Sequence, residues 1–206
     1  SKPVRMPTFR SGEVTGIISE RPGLQRVRVR LDGAADESRA YSLTQLTGAV
    51  NVGDAVVCNT TAVELGLGTG GWHVVHWNLS RTEFVAPGPD HVMKLRYTSL
   101  QFDAGTSELE YPDLPTTIDG VPVVVCQVHS QVGVVVATIA ALRPGTRVAY
   151  VMTDGASLPI ALSDLVEDLR SRDLLHTTIT AGHAFGGDLE AVTVASGLVL
   201  AHHVAD

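Results

Sequence analysis

Residues 121–128 read VPVVVCQV, an almost unbroken apolar run near the middle of the 206-residue chain. Strands that are buried on both faces of a parallel sheet have continuous apolar sequences of this kind. The run therefore predicts a central strand of a parallel sheet, and the fold assigned to the flanking residues depends on that strand.

Strand-like and helix-like segments alternate after this run. The predicted elements are a helix over 131–142, a strand over 147–152, a helix over about 158–170, a strand over 177–180 and a helix near 195–205. Successive strand and helix pairs nearly always form a parallel sheet with right-handed crossovers. The sequence therefore predicts a Rossmann-like α/β domain. We expect this domain to be incomplete at its C-terminus, because a further strand would be natural after the last helix.

Residues 12–79 have a different pattern, in which short strands are separated by turns. The predicted strands cover 14–19, 24–31, 41–46, 54–60 and 72–79. Short strands at this spacing, without an amphipathic helix between them, are typical of a small barrel or sandwich. The segment 85–90 contains Pro87, Gly88 and Pro89 and is the predicted linker. The chain is thus a two-part α+β/α/β protein, with a β-rich module at 1–85 and an α/β domain at 86–206.

Alternation is strictest in residues 24–31. Arg26, Arg28 and Arg30 must point to one face of this strand, because successive side chains alternate across a sheet. The apolar residues between them point to the other face. The arginine face has two interpretations, an ordinary solvated sheet surface or an anion-binding stripe.

The formal net charge of −7 is unevenly distributed along the chain. Nine basic residues face eight acidic ones in residues 1–85, whereas residues 86–206 have six basic and fourteen acidic residues. A negative surface repels phosphate backbones, so we expect no nucleic-acid partner.

The cellular compartment is predicted from the lack of a membrane-spanning run and of a signal peptide in the given sequence. No apolar run approaches the roughly 18 residues that cross a bilayer, and residues 1–10 do not resemble a signal peptide. Cys58 and Cys126 lie far apart in apolar runs, without the spacing of a metal site. We expect a cytoplasmic protein with buried thiols and no membrane partner.

Ligands of open α/β sheets bind beyond the carboxyl ends of the strands. The loops at these positions cover 129–131, 153–157 and 181–188 and are polar or rich in glycine. His129, Asp154 and His183 are unusual residues at the ends of apolar strands, and they suit acid–base catalysis. With Asp188 they are also the candidate ligands of a divalent metal, the one cofactor that the sequence suggests.

Two further interpretations of these loops stay open. Ser130, Asp154 and His183 follow the chain order of α/β-hydrolases, although valines replace the glycines that should flank the nucleophile. Alternatively, the loops supply only hydrogen bonds to an anion at helix N-termini. The candidate ligand-binding residues are Ser130, Gln131, Thr153, Gly155, Gly186 and Asp188, together with Lys94 and Arg96. Ser157 is a further backbone donor in the anion interpretation.

Two other features have a simple structural interpretation beside a functional one. Lys94 and Arg96 would share one face of a strand over 91–98, either as surface charges or as a pair that receives an anion. The glycines of residues 66–71 match G-x-G-x-x-G, but a strand follows instead of the helix that a dinucleotide site needs. We therefore predict a tight turn at 66–71.

Longer strings of the sequence resemble a known family. They are NTTAVELGLGTGG at 59–71, HVMKLRYT at 91–98, VAYVMTDG at 148–155 and TAGHAFGGDLE at 180–190. The chain is identified by these strings as similar to the actinobacterial DUF3866 family, a domain of unknown function. The resemblance implies no activity or catalytic residues. It implies that members continue past the equivalent of Asp206, so that this chain lacks their C-terminal portion.

Two classes of function fit the sequence. The first is a cytoplasmic α/β protein that binds a small anionic or polar metabolite at its strand ends, with His129, Asp154 and His183 as the residues for any catalysis. The second is a non-catalytic assembly protein that forms homo-oligomers through residues 12–79. The sequence does not decide whether the chain is an enzyme.

Overall fold

The computed structural model describes residues 6–68, 70–156 and 159–205. The chain forms two compact units, Ser1–Ala86 and Pro87–Asp206.

The first unit is a closed five-stranded barrel. Its strands and short helices are β1 Phe9–Arg21, β2 Leu24–Leu31, β3 Ser38–Leu43, α1 Thr44–Thr47, β4 Ala55–Asn59, α2 Thr61–Glu64 and β5 Trp72–Asn78. The strand order is β1-β2-β3-β5-β4, with β3 and β5 parallel. β1 is long enough to pair with two strands: its first residues, 9–13, pair with β4, and residues 12–21 pair with β2. The register of β1 against β2 shifts at two places, which is typical of β-bulges. The predicted small barrel is confirmed.

Alternate residues of the barrel strands form its core. Val27 and Val29 of β2 are fully buried, whereas the alternating residues Arg28 and Arg30 are exposed. The other members of the core are Val14, Ala40, Val50, Val56, Cys58 and Val75. Burial of Cys58 raises the pKa of its thiol to about 12. The alternation that predicted β2 thus separates an apolar interior from a charged exterior.

The second unit is built on a three-stranded parallel sheet. Its elements are β6 Met93–Lys94, β7 Phe102–Asp103, α3 Ser107–Glu110, α4 Gln131–Leu142, β8 Ala149–Met152, the 3₁₀ turn Ile160–Leu162, α5 Asp164–Ser171, β9 Thr177–Ala181, β10 Leu189–Ala191 and α6 Val194–Ala205. The sheet order is β10-β9-β8, and β6 pairs with β7 separately. The predicted parallel sheet with helices is confirmed.

Helices cover both faces of this sheet. α6 packs on the face that carries Val151, Ile179 and Ala181. α4 and α5 pack on the opposite face, around Met152. Gly197 brings α6 close to the sheet, since a Cβ atom there would lie 3.0 Å from Val151 Cγ1.

Residues 121–128 do not form the predicted strand. All eight are described, none is in a strand, and five of them are exposed valines, of which Val125 is 85% exposed. Pro122 has no amide hydrogen for a strand ladder, and β8 is the last described strand at its side of the sheet. The apolar composition was therefore a misleading signal for a buried strand.

Other boundaries also differ from the predictions. The strand over 91–98 is reduced to Met93–Lys94, because Leu95 and Tyr97 have positive φ angles of 50° and 63°. The helix over 158–170 is divided into a 3₁₀ turn and α5, because Ser163 caps the start of α5. Leu158 lies outside the described residues. The strand β10 was not predicted, while the bounds of α4 agree with those expected.

Candidate functional site

A cavity of about 690 Å³ lies beside β8 in the second unit. Its walls come from residues 118–129, from α4, from β8 with the loop after it, and from α6. Most of the lining is apolar, and valines predominate among the residues that face the cavity. The polar residues of the lining include His129, Tyr150, Thr153, Arg143 and Arg147.

His129 connects two hydroxyl groups at this cavity. Its Nδ1 atom lies 2.8 Å from Tyr150 Oη, and its Nε2 atom lies 2.6 Å from Ser163 Oγ. Ser163 Oγ also accepts a hydrogen bond of 3.1 Å from the amide of Val166, as the N-cap of α5. The Ser163–His129–Tyr150 chain is thereby anchored on a helix start and a strand.

Burial determines the protonation states of this chain. It lowers the pKa of His129, which keeps the imidazole neutral at pH 7. Burial also raises the pKa of Tyr150 to about 12, with a smaller contribution from Cys126. A neutral imidazole has one donor and one acceptor, so the two hydrogen bonds of the chain can run in either direction, depending on the tautomer. When His129 Nδ1 donates to Tyr150, the tyrosine hydroxyl hydrogen is free to bind an oxygen atom in the cavity.

Asp154 and His183 lie together, and the recorded hydrogen bonds of both side chains are to backbone amides. The carboxylate of Asp154 accepts hydrogen bonds from the backbone amides of His183, at 2.5 Å, and Ala184, at 3.0 Å. The His183 ring uses Nδ1 to accept a hydrogen bond of 3.0 Å from the amide of Leu95. Both residues therefore hold loop backbone in place.

Side chains engage most backbone amides of the loop over 182–188. Glu190 Oε1 accepts from Gly186, and Thr180 Oγ1 accepts from Gly187. Thr178 Oγ1 accepts from Asp188. Since these amides already have partners, Gly186 has no spare backbone donor for an anion in this conformation.

Lys94 is buried rather than directed into a cleft with Arg96. Its side chain is 2% exposed, and its Nζ atom lies 2.5 Å from Glu190 Oε2. Nζ also donates to the carbonyl oxygens of Thr180, at 3.1 Å, and Ala184, at 2.5 Å. All three ammonium donors are therefore used within the protein. Arg96 is exposed and follows the end of β6, so the alternation that would have paired it with Lys94 is absent.

Asp188 belongs to a second polar cluster of the same sheet. Its carboxylate accepts hydrogen bonds from the amide and the hydroxyl of Thr178 and lies 2.7 Å from the Arg170 guanidinium. Burial would raise the pKa of Asp188, but the hydrogen bonds from Arg170 and Thr178 outweigh it and hold the pKa below its usual value. Asp188 is thereby engaged in structural contacts.

The remaining predicted residues lie near the cavity or at local turns. Gln131 Oε1 accepts a hydrogen bond of 2.8 Å from the amide of Gln127, and Ser130 precedes α4 without a side-chain cap bond. Thr153 and Gly155 line the cavity at the end of β8. Ser157 lies outside the described residues.

The candidate metal ligands are not gathered at one point. Within residues 6–68, 70–156 and 159–205, no three His, Cys, Asp or Glu side chains are grouped so that they could hold a metal ion. His129 contacts Tyr150 and Ser163, whereas Asp154 and Asp188 have the partners described above. The part of the chain described here thus offers the cavity, not a metal cluster, as its candidate site.

Sequence reasoning missed the partners of the predicted residues. Tyr150 is the second residue of β8 and faces the α4 and α5 layer, as strand alternation would have indicated. Glu190 was missed because β10 was missed. The register that places Glu190 beside Thr180 depends on the pairing of β9 with β10. A signal was present in the sequence, because threonines two residues apart, at 178 and 180, are followed by acidic residues two residues apart, at 188 and 190.

Fold and site define a two-unit protein with a closed barrel and a parallel α/β unit that carries an apolar cavity. Residues 39–206 match the family model described as a protein of unknown function, DUF3866. The chain belongs to this family, which confirms the predicted resemblance. No curated protein matches the chain. Among the helices of the described residues, none combines the length and the apolar character needed to cross a membrane.

Proposed function

We propose that residues 87–206 bind a small molecule with an apolar body and a polar or anionic end in the cavity beside β8. The observation that carries this proposal is the combination, in one cavity of about 690 Å³, of valine walls with His129 and Tyr150, which are hydrogen-bonded to each other and, through His129, to Ser163. Small-molecule sites are typically apolar clefts of this size with a few polar groups that fix orientation.

The two ends of the cavity suggest how the ligand is oriented. Thr153 follows the carboxyl end of β8, where ligands of Rossmann-like sheets bind, and Tyr150 lies within the strand. Arg143 and Arg147 lie before the start of β8 and line the other end. In this scheme an anionic group contacts the arginines, and an oxygen atom at the opposite end accepts a hydrogen bond from Tyr150.

His129 is the residue on which we place any catalytic role. It is the one predicted catalytic residue that lines the cavity, whereas Asp154 and His183 hold the backbone of the 182–188 loop. When Nδ1 accepts from Tyr150, the neutral imidazole can take the tyrosine proton while Tyr150 takes a proton from a bound hydroxyl group, which leaves an imidazolium and the oxyanion of the ligand. Two free cysteines suit the reducing cytoplasm, which we propose as the compartment.

Cys126 gives a direct test, because it lines the cavity and is partly exposed, while Cys58 is fully buried. We expect a thiol reagent to modify Cys126 alone in the folded 206-residue chain. Decanoate should slow this modification, and butyrate at the same concentration should not, because it has little apolar surface. Peptide mass mapping identifies the modified cysteine.

Variants separate binding from a general effect on the fold. Val136→Asp places a charge in the cavity wall and should abolish protection by decanoate, while Val134→Asp on the exposed side of the same helix should not. The thermal transition of each variant serves as the control for folding. Equal modification of Cys126 with and without decanoate, across a range of chain lengths, would contradict the proposal.

Self-association through residues 12–79 stays a prediction with weaker support. The described barrel strands form a closed ring, which removes the free edges on which strand pairing between copies depends. The measurement of solution mass by sedimentation decides it. A stable oligomer that dissociates after charge substitutions on the barrel surface would revive the assembly role.

A further inference from the structure

An arginine-rich surface surrounds Trp72 on the outside of the barrel. Cross-strand pairing places Arg28 opposite Arg39 and Arg39 opposite Trp72, while Arg26 pairs with Tyr41 in the next row. Arg30 continues the same face of β2. We call Arg26, Arg28, Arg39 and Trp72 the arginine–tryptophan surface.

Trp72 is held within this surface by two guanidinium groups. Arg39 lies 4.9 Å and Arg26 lies 5.5 Å from the centre of the indole ring. The Arg39 guanidinium also donates a hydrogen bond of 2.5 Å to the carbonyl oxygen of Gly70. Gly70 has a φ angle of 66°, a conformation that side-chain-bearing residues rarely adopt, so the glycine-rich turn before β5 is shaped to meet Arg39 and Trp72.

We propose that the arginine–tryptophan surface binds single-stranded nucleic acid. Arginine suits phosphate because its planar fork matches two phosphate oxygens, and the same plane stacks on aromatic rings and bases. Proteins that bind single strands combine a cationic groove with aromatic side chains on which bases stack. The two components are interleaved here on neighbouring strands.

The ion pairs that Arg28 and the neighbouring Arg30 form with Glu37 are long and exposed to solvent. Glu37 lies 3.6 Å from both Arg28 and Arg30, and the three side chains are 38%, 55% and 54% exposed, respectively. Such exposed pairs are weak and readily exchanged for a phosphate. Gly16 lies under the Arg28 guanidinium, which spreads over the barrel wall where a side chain would otherwise stand.

The proposal revises the expectation that the chain has no nucleic-acid partner. That expectation rested on the acidity of residues 86–206, whereas this surface belongs to the nearly neutral first unit. A local cationic patch, not the net charge of the chain, decides whether phosphate can approach.

The test uses the 206-residue chain and a fluorescein-labelled thymidine 12-mer, with binding measured by fluorescence anisotropy. Three engaged phosphates predict a slope of about −2 in log K against log salt, or roughly a twentyfold loss between 50 and 200 mM salt. Replacement of Arg26, Arg28 and Arg39 by Gln should weaken binding at least tenfold and flatten this slope. Arg10→Gln, on the β4-paired half of β1, is the matched control and should change binding less than twofold.

Glu37→Gln distinguishes this surface from general attraction to a polyanion. Removal of the competing carboxylate should tighten binding about two- to fivefold. Glu83→Gln makes the same charge change at an exposed position elsewhere in the first unit and should have a smaller effect.

Trp72 supplies a direct optical readout. The chain has two tryptophans, so Trp77→Phe leaves Trp72 as the fluorophore. Stacking of a thymine should quench its emission at oligonucleotide concentrations that match the anisotropy curve. The proposal is overturned if the folded protein does not bind the 12-mer at 50 mM salt, or if the arginine variant and Arg10→Gln bind it equally well. It is also overturned if the 12-mer does not quench Trp72 and heparin or anionic phosphatidylserine vesicles bind as tightly as the 12-mer.

Discussion

The two units place their polar and apolar residues in opposite ways. In the barrel, valines fill the interior and arginines cover the outer face of β2. In the α/β unit, the charged Lys94 and the hydroxyls of Thr178 and Thr180 are buried, while valines of residues 121–128 are exposed beside a cavity. The barrel follows the usual partition of a folded domain, and the α/β unit departs from it at these buried polar and exposed apolar residues.

The two units offer different kinds of surface for binding. Buried charge is costly unless fully paired, and exposed apolar patches commonly mark binding surfaces. In the α/β unit, the buried polar groups fix the 182–188 loop, and the apolar surface forms the cavity. In the barrel, by contrast, the outer charged face is the candidate surface.

Substitution of Lys94 should be the most destabilising change. Lys94→Met leaves the carboxylate of Glu190 without its buried partner, which costs about 3–5 kcal/mol in comparable cases. The free energy of unfolding can be measured in urea, with helical circular dichroism for the α/β unit and tryptophan fluorescence for the barrel, which contains both tryptophans. The loss should be confined to the α/β unit.

An exposed ion pair supplies the control for this result. Arg10 and Glu64 form a pair at 2.8 Å in the barrel, with side chains 56% and 37% exposed. Arg10→Gln should cost less than about 1 kcal/mol. Losses of similar size for Lys94→Met and Arg10→Gln would show that Lys94 is not buried as described.

Two apolar truncations compare the barrel core with the 121–128 segment. Leu24→Ala removes a side chain that is 2% exposed and should cost about 2–5 kcal/mol. Val124→Ala removes a side chain that is 59% exposed and should change stability by less than about 0.5 kcal/mol. Urea unfolding monitors both variants. A loss above 2 kcal/mol for Val124→Ala would mean that this segment is buried after all.

Removal of the Ser163 hydroxyl should have an intermediate effect. Ser163→Ala deletes the N-cap of α5 and one end of the hydrogen-bonded chain to Tyr150, so we expect a loss of about 1 kcal/mol. Ser163→Asp would keep the cap and add a negative charge beside His129. It should raise the pKa of His129 relative to the parent protein, as a histidine NMR titration would show, and an unchanged titration would contradict the contact.

The smallest predicted effect is the pH dependence of the α/β unit. Burial lowers the pKa of His129 below its unfolded value of about 6.5, so acid protonates the unfolded chain first. Stability should therefore be full above pH 6.5 and decrease as the pH falls below it. His129→Gln should reduce this dependence in the α/β unit only, because His73, whose pKa burial also lowers, remains in the barrel. Unchanged pH dependence in the variant would contradict the assignment.

Local sequence patterns predicted much of both units. Strict alternation in 24–31 corresponds to the bounds of β2, and a proline and glycine after residue 142 marked the end of α4. The strand ends that precede Asp154 and His183 were also recognisable, whereas no strand precedes His129. These features depend on side chains that are close in sequence, which is why periodicity reveals them.

Features that depend on tertiary contacts could not be predicted in the same way. A run of valines is equally compatible with a buried strand and with the wall of a cavity, and composition cannot distinguish them. The burial of Lys94 depends on Glu190, which is 96 residues away. The Ser163–His129–Tyr150 chain likewise requires three elements to meet.

Hydrogen–deuterium exchange of residues 121–128 tests the contrast between the units most directly. We predict that amides of 123–126 exchange nearly as fast as unstructured peptide, while amides of 26–30 in β2 remain protected. We also predict that decanoate slows exchange in 123–126 and leaves β2 unchanged. Protection of 123–126 equal to that of β2 in the free protein would show a strand there and contradict the account.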